Sequence, residues 1–375
     1  MEFLVEGLRA VTWQQVVMYL VGFVLIYLAI KKEYEPSLLL PMGFGAILVN
    51  LPFSGVLDQT LQGGIQSNGI IQWLFHTGIE ASEAMPILLF IGIGAMIDFG
   101  PLLTNPLMFL FGAGAQFGIF AAILLAAALG FDLKDAVSIG IIGAADGPTS
   151  LLVSQVLGSR YIGAIAVAAY SYMALVPIVQ PFAIRLVTTK KERQIHMEYH
   201  PGSVTKAMRI LFPIIVTMVV GFVSPQSVAL IGFLMFGNLI RECGVLDSLS
   251  ETAQKQLANL ITLLLGITIA AKMQAEDFIT KETLVILGLG LIAFIFDTFG
   301  GVLFAKVMNL FTKNKVNPMI GAAGISAFPM SARVVHKMGL KEDPQNFLLM
   351  HAAGANVSGQ IASVIAGGLL LSLIG

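Results

Sequence analysis

Between Lys32 and Lys134 the chain carries no Lys or Arg, and apolar stretches follow one another through that interval and beyond it. An ordinary soluble domain carries about 25% charged residues. Here only 11% of the 375 residues are charged and 57% are hydrophobic. One or two soluble cores cannot hide that much apolar surface. A soluble enzyme is excluded. The expected fold class is all-α, a polytopic integral membrane protein with the lipid bilayer as its solvent.

The few charges mark sidedness. The 21 Lys+Arg and 22 Asp+Glu nearly cancel, so no basic field for nucleic acid exists. Arg185, Lys190, Lys191, Arg193, Lys206 and Arg209 crowd together, joined by His196 and His200. By the positive-inside rule that segment is a cytoplasmic loop. Cys243 is the single cysteine, which rules out a disulfide framework, Cys-based zinc sites and iron–sulfur clusters. Glu2, Glu6 and Arg9 precede the first apolar stretch with no cleavable signal pattern, so 11–30 reads as a first span.

Apolar stretches fall near 11–30, 37–51, 84–97, 106–129, 136–157 and 161–185. A second set lies near 208–222, 226–240, 259–271, 282–309, 316–338 and 346–374. A full helical span needs about 20 apolar residues. Several stretches are shorter, or are broken by Gly and Pro, as in transporters built from internal repeats. Ile142-Gly143-Ala144-Ala145 returns as Ile320-Gly321-Ala322-Ala323, Asp98-Phe99 as Asp277-Phe278, and Gln116-Phe117-Gly118 as Thr298-Phe299-Gly300. The offsets are 178, 179 and 182 residues, so the matches share one register. The expected division is an N-terminal repeat over 1–185, a basic loop over 186–207 and a C-terminal repeat over 208–375. Lys31 and Lys32 sit in a loop whose counterpart near 223–226 is uncharged. The loop 52–83 lacks Lys and Arg, while its counterpart 241–258 has Arg241 and Lys255. Opposite bias in matching loops favours inverted repeats. Inversion needs an odd number of crossings per half, so at least one stretch per half is re-entrant, broken or interfacial. About 10–11 membrane segments are expected.

Asp146 is the strongest local signal, inside Ile141-Ile142-Gly143-Ala144-Ala145-Asp146-Gly147-Pro148-Thr149-Ser150. An ionisable group at membrane depth costs several kcal/mol unless paired or hydrated, and is functional by default. Gly147 and Pro148 weaken the helix after it and free carbonyls. With the hydroxyls of Thr149 and Ser150, this set suits a hard cation such as Na⁺. The rival reading is a loop-end Asp capping a helix in water.

The matching place is Asn317-Pro318-Met319-Ile320-Gly321-Ala322-Ala323-Gly324-Ile325-Ser326-Ala327-Phe328-Pro329-Met330-Ser331-Ala332-Arg333. If the two broken segments cross near the midplane, Asp146 and these neutral oxygens face one cavity. Helix capping is the bland account of Asn317 and Ser326, and snorkelling that of Arg333. The sharper account makes Arg333 an anion contact at the cytoplasmic mouth. Asn356, in Gly354-Ala355-Asn356-Val357-Ser358-Gly359-Gln360-Ile361-Ala362-Ser363, offers an amide oxygen to a Na⁺ shell. Tyr172, in Tyr170-Ser171-Tyr172, is either a proton-handling phenol or an interface aromatic. Gln116, Asp297 and Thr298 are weaker candidates for the same cavity. Ala271-Lys272-Met273 matches only part of a biotin attachment site, and the Gly-rich strings lack Walker spacing.

Gly-Ala-Ala-Asp-Gly-Pro-Thr at 143–149, Asn317 through Arg333, and Asn-Phe-Leu-Leu-Met-His-Ala-Ala-Gly-Ala-Asn-Val-Ser-Gly at 346–359 resemble one family. It is the beta subunit of sodium-pumping, biotin-dependent decarboxylases, acting on oxaloacetate, methylmalonyl-CoA, glutaconyl-CoA or malonate. The resemblance covers nearly the whole chain. It implies a subunit of the bacterial cytoplasmic (inner) membrane that decarboxylates carboxybiotin and exports Na⁺. It implies Na⁺ and carboxybiotin as ligands, with no biotin attached to this chain. The implied partners are a carboxyltransferase alpha subunit, a biotin carrier gamma subunit and a small membrane-anchoring subunit. A trimer with an elevator-like core moving against a scaffold is implied too. By motif, the essential aspartate corresponds to Asp146 and the proton-handling tyrosine to Tyr172. Asn317, Gly321, Ser326 and Arg333 match the later polar set, and Asn356 the further Na⁺-contacting asparagine. The N-terminal region is shorter than in oxaloacetate-type members, which favours the methylmalonyl-CoA or glutaconyl-CoA type.

Together these readings assign Asp146, Asn356, Asn317, Ser326, Gly321 and Thr149 to Na⁺. Arg333 and Asn317 are assigned to carboxybiotin. Asp146, Tyr172, Arg333 and Ser326 are expected to serve the reaction, in which protonation and a dry site suffice. The competing class is a Na⁺-coupled secondary transporter without chemistry. Co-purification with a biotinylated protein separates the two.

Overall fold

The computed structural model describes residues 3–33, 36–60, 66–81, 83–198 and 204–374; Glu2 and His200, named above, lie outside them. Helix α1 (Trp13–Lys32) opens on a capping box between Thr12 and Gln15, and closes where Glu33 turns left-handed. After α2 (Pro36–Val49), Asp58–Thr60 and Gln66–Asn68 pair antiparallel, with Asp58 opposite Asn68. Then follow α3 (Ala84–Met96), α4 (Met108–Ala115), α5 (Phe117–Ala128), α6 (Leu133–Gly140), α7 (Gly147–Val156) and α8 (Ile162–Val187). The second half holds α9 (Lys206–Val223), α10 (Val228–Glu242), α11 (Ala258–Ile269), α12 (Lys281–Phe311), the single turn α13 (Met319–Ala322), α14 (Met330–Glu342) and α15 (Leu349–Ile374).

Among the described residues, six helices are long and apolar enough to cross a bilayer, and up to eight if two bent pairs each count as one span. This is a multi-pass membrane protein. Ile70–Glu80 meets α3 at 67°, and α8 bends by 72° after Met173. Pro177 accounts for the second bend, because it cannot donate to the carbonyl four residues earlier and its ring crowds that turn. Outside these spans, α2 and α10 are too short to qualify, and the apolar stretches 133–156 and 319–342 are interrupted. In the first, a 3₁₀ turn (Ile141–Ala144) and Ala145 at φ +53° separate α6 from α7. In the second, an irregular segment with a cis Phe328–Pro329 bond separates α13 from α14.

Packing partners are exchanged between the halves. Helix α3 packs on α10, and α11 packs on α2. Likewise α12 lies against α8, and α15 against α4, while α12 also crosses α4 and α5. Glycine permits the closest crossing: a Cβ on Gly94 would lie 1.8 Å from the Leu234 carbonyl oxygen, and one on Gly237 2.0 Å from that of Ile91. Such contacts let helices associate in lipid by close packing. One apolar core gathers side chains such as Phe111, Ile141, Val153, Phe294 and Ile325, and a second gathers Leu38, Leu89, Tyr170 and Leu265. The broken segments lie along their boundary.

Candidate cation site between two broken helices

Asp146 caps α7. Its Oδ1 accepts the Thr149 N–H at 3.4 Å, and its Oδ2 accepts the Thr149 Oγ1 proton at 2.7 Å and that of Ser363 Oγ at 3.2 Å. Capping was the rival reading of this residue, and in geometry it is correct. The cap is not in water, however: Asp146 is 3% exposed and no Lys, Arg or His forms an ion pair with it among the described residues. Ser150 donates to the Asp146 carbonyl at 2.8 Å and so ties the break to the helix.

The second broken segment joins the first through its backbone. Ser326 N–H donates to the Ala144 carbonyl at 3.1 Å, and Ser326 Oγ donates to the Gly359 carbonyl at 2.9 Å. Helix α15 supplies the opposing polar face with Asn356, Gln360 and Ser363, spaced to share one side of a helix. Asn356 Nδ2 donates to the Ile325 carbonyl at 2.7 Å, and Gln360 Nε2 donates to that of Ser326. Their carbonyl ends, Asn356 Oδ1 and Gln360 Oε1, are buried without a hydrogen-bond partner. A buried acceptor left bare costs about 1–3 kcal/mol, so each calls for a ligand.

A cavity of about 220 Å³ opens beside these groups, lined by Asp146, Pro148, Tyr170, Ser326, Phe328, Pro329 and Gln360. Ser37, Asn259 and Thr262 face them across it. The donors are oxygens with one formal charge, which suits a hard monovalent cation. No group of three or more His, Cys, Asp or Glu that could hold a metal ion exists among the described residues.

The structure therefore brings Asp146, Thr149, Ser326 and Asn356 together, and places the other expected residues elsewhere. Asn317 Oδ1 accepts the Met319 N–H at 3.1 Å, and its amide donates to the Arg193 and Ile195 carbonyls at 2.9 Å each. It anchors the basic loop. Gly321 lets α13 touch α12, since a Cβ there would lie 1.9 Å from the Gly301 carbonyl oxygen. Tyr172 donates to the Leu287 carbonyl on α12. Arg333 lines a separate cavity of about 470 Å³ with Lys32, Arg185, Lys337 and Lys341. On α14, Arg333, Lys337 and Lys341 recur every four residues along one face. The two cavities adjoin along the chain, with Pro329 in the first and Met330 in the second. Asp297 lies at the crossing of α5 and α12, where it accepts the Gly118 and Ile119 N–H groups, and the Gln116 amide donates to the Gly112 carbonyl; neither residue lines this cavity.

Three contributors escaped the sequence reading. Gln360 and Ser363 were visible in their spacing from Asn356, polar positions on one side of an apolar helix. Tyr170 is the third: its ring lies on Gly147, where a Cβ would sit 2.1 Å from a ring carbon, and its buried hydroxyl has no partner.

Residues 14–374 match the model of the family described as Na⁺-transporting oxaloacetate decarboxylase beta subunit. The chain belongs to that family. It is 48% identical to the methylmalonyl-CoA decarboxylase subunit beta of Propionigenium modestum, over 98% of this chain and 97% of the relative. It is 47% identical to the glutaconyl-CoA decarboxylase subunit beta of Acidaminococcus fermentans, over 99% and 96%. With the probable oxaloacetate decarboxylase beta chain of Vibrio cholerae it shares 43%, over 98% and 97%. A member of this family is a Na⁺-translocating membrane subunit of a decarboxylase built from several subunits.

Proposed function

We propose that this chain decarboxylates carboxybiotin, delivered by a biotin carrier subunit, and couples the reaction to Na⁺ export across a bacterial cytoplasmic membrane. The carrier, a carboxyltransferase subunit and a small anchoring subunit would complete the complex. The beta subunit itself would be a trimer of two-repeat protomers whose core moves against a scaffold. The reciprocal packing of α3 with α10 and of α11 with α2 supports a two-fold relation between the halves.

The observation that carries the reading is Asp146, buried beside a cavity that Ser326 and Gln360 also line, with the bare amide oxygens of Asn356 and Gln360 on α15 nearby. Na⁺ would replace the missing partners of Asn356 Oδ1 and Gln360 Oε1 while neutralising the carboxylate. The neighbouring basic cavity offers five cations against Glu33, and none of the five has an ion pair among the described residues. Such a concave field concentrates anions, and Arg333 would hold the incoming carboxylate. The N–C bond of the carboxylated ring breaks, CO₂ leaves, and the ring nitrogen takes a proton. That proton would come from the outer side, with Tyr172 as a relay. Asp146 would alternate between Na⁺ and a proton.

Asp146→Asn keeps the cap's acceptor oxygen and removes the charge. The reconstituted complex should then lose Na⁺-dependent decarboxylation and Na⁺ uptake into vesicles. Retention of both would sink the proposal. A streptavidin blot of the complex purified through this chain should show a biotinylated partner, which a secondary transporter would lack.

A further inference from the structure

A second carboxyl lies wholly inside the membrane-spanning core, and the Na⁺ site does not use it. Asp297 sits mid-way along α12 with no exposed surface. Its Oδ1 accepts the Gly118 and Ile119 N–H groups, at 2.5 and 3.1 Å, in the first turn of α5. Its Oδ2 is buried with no hydrogen-bond partner among the described residues. Glycines form the cradle: a Cβ on Gly118 would lie 2.6 Å from Oδ1, and one on Gly143 2.8 Å from Oδ2.

Among the described residues, no positive charge faces this carboxyl. Helices α4 and α5 contribute no ionisable side chain, only the carboxamide of Gln116, whose Oε1 is also bare. The turn at 141–144 and α13 contribute none. On α12 itself, Lys281, Glu282 and Lys306 stand two or more turns away. Helix α6 carries Lys134 and Asp135 at its opposite end, with Asp135 paired to Arg160. Helix α8 brings Tyr172, held by the Leu287 carbonyl.

Two effects therefore oppose each other. Paired N–H groups at a helix N-terminus favour the carboxylate. Burial without a counter-ion favours the neutral acid. One oxygen is pinned and the other is bare, so a proton can come and go without disturbing the cap. We propose that Asp297 is a second cation-binding carboxyl of the transport cycle, which takes a proton on Oδ2 and later releases it. This rests on the decarboxylase reading, because that reaction consumes one proton per turnover. The location serves it: Gly290, Ala293 and Asp297 share one face of α12, which meets Tyr172 at Gly290 and Gly143 at Asp297. Gly143 stands three residues before Asp146, so protonation at Asp297 alters the field on the Na⁺-binding segment.

The test uses the whole complex in sealed vesicles. Asp297→Asn should assemble and keep its stabilisation by Na⁺, which reports the Asp146 site. Its decarboxylation and proton uptake should fall roughly a hundredfold, the low end for a lost proton-transfer group, and the pH profile of the residual rate should differ from that of the wild type. A second measurement does not depend on that variant folding. In D146N complex with carboxyl-labelled aspartate, infrared spectra should show a buried carboxylic acid band that fades as the pH is raised. Wild-type rate and pH profile in D297N, or a labelled band that does not titrate, overturns the inference. Failure of the decarboxylase reading shows separately, as Na⁺ dependence retained in D146N.

Discussion

Gln360 has both ends of its amide committed to the site: Nε2 fixes the Ser326 carbonyl, and Oε1 is left bare for a cation. Gln360→Ala removes one oxygen from the proposed Na⁺ shell and takes the Nε2 donor from the Ser326 carbonyl. The Na⁺ concentration for half-maximal decarboxylation should rise roughly tenfold, or about 1.4 kcal/mol. Melting temperature without Na⁺ should fall as well, and measuring both separates the ligand from the packing. An unchanged Na⁺ dependence would remove Gln360 from the donor set. Asp146 was legible in the sequence because a carboxyl at membrane depth has few uses, and the glycines and proline beside it announced a break. The tyrosines were not legible. Tyr170 and Tyr172 are two positions apart on a helix, about 200° around its axis, so they face opposite ways. Which of them meets α7 depends on how α8 is rotated, and no local pattern encodes that rotation. The contacts of the Asn317 amide were not legible for a similar reason. Its partners are 120 and more residues back, in a loop whose course only tertiary packing fixes.

At the scale of elements, the basic loop is a clamp. A capping box between Thr189 and Glu192 starts a helical turn, Lys306 pairs with Glu192 at 3.0 Å, and Arg193 pairs with Glu342 at 2.8 Å. His196 meets Asp343 at 3.1 Å. The Gln345 N–H, then His196, holds the Asp343 carboxyl below its ordinary range. Burial pushes Glu192 up, but hydrogen bonds from Thr189 and Lys306 outweigh it, and the net shift is also downward. A carboxyl whose folded pKa is depressed contributes stability above its unfolded pKa, and that contribution fades as the pH falls through the folded value. Amide-exchange protection over 190–198 should therefore be level above roughly pH 4–5 and decline below it. Asp343→Asn should lower protection at neutral pH and flatten the acid decline. Protection that stays level into strong acid would show that uncharged anchors secure the loop, such as Asn317 and Asn346, whose amide donates to the Ile195 carbonyl at 2.8 Å and accepts the Met197 N–H at 3.1 Å. The charge crowding was legible as a loop; its rigidity was not, because its carboxylate partners come from distant segments.

At the scale of the whole molecule, each half lacks surfaces that the other supplies. The glycine face of α3 meets α10 from the opposite half, and α2 meets α11 in the same exchange. Gly112 N–H donates to Ser358 Oγ at 3.0 Å, and that hydroxyl lies 2.8 Å from the Met108 carbonyl, so α4 and α15 are tied across the halves too. Gly118 and Asp297, from opposite halves, touch where α5 crosses α12. A sequence repeat cannot say whether its copies stand side by side or interleave. Interleaving makes a definite prediction about severed chains. Residues 1–200 expressed alone would expose the faces of α2, α3, α4 and α5 that α10, α11, α12 and α15 cover. Each half made alone should be degraded in the membrane, while the two co-expressed halves should co-purify and restore Na⁺-dependent decarboxylation to the complex. The cut falls in the basic loop, outside every span, so membrane insertion of each half is unaffected. A single half that purifies as a stable, monodisperse species would contradict the exchanged packing, because its glycine faces would then have found cover without their partners.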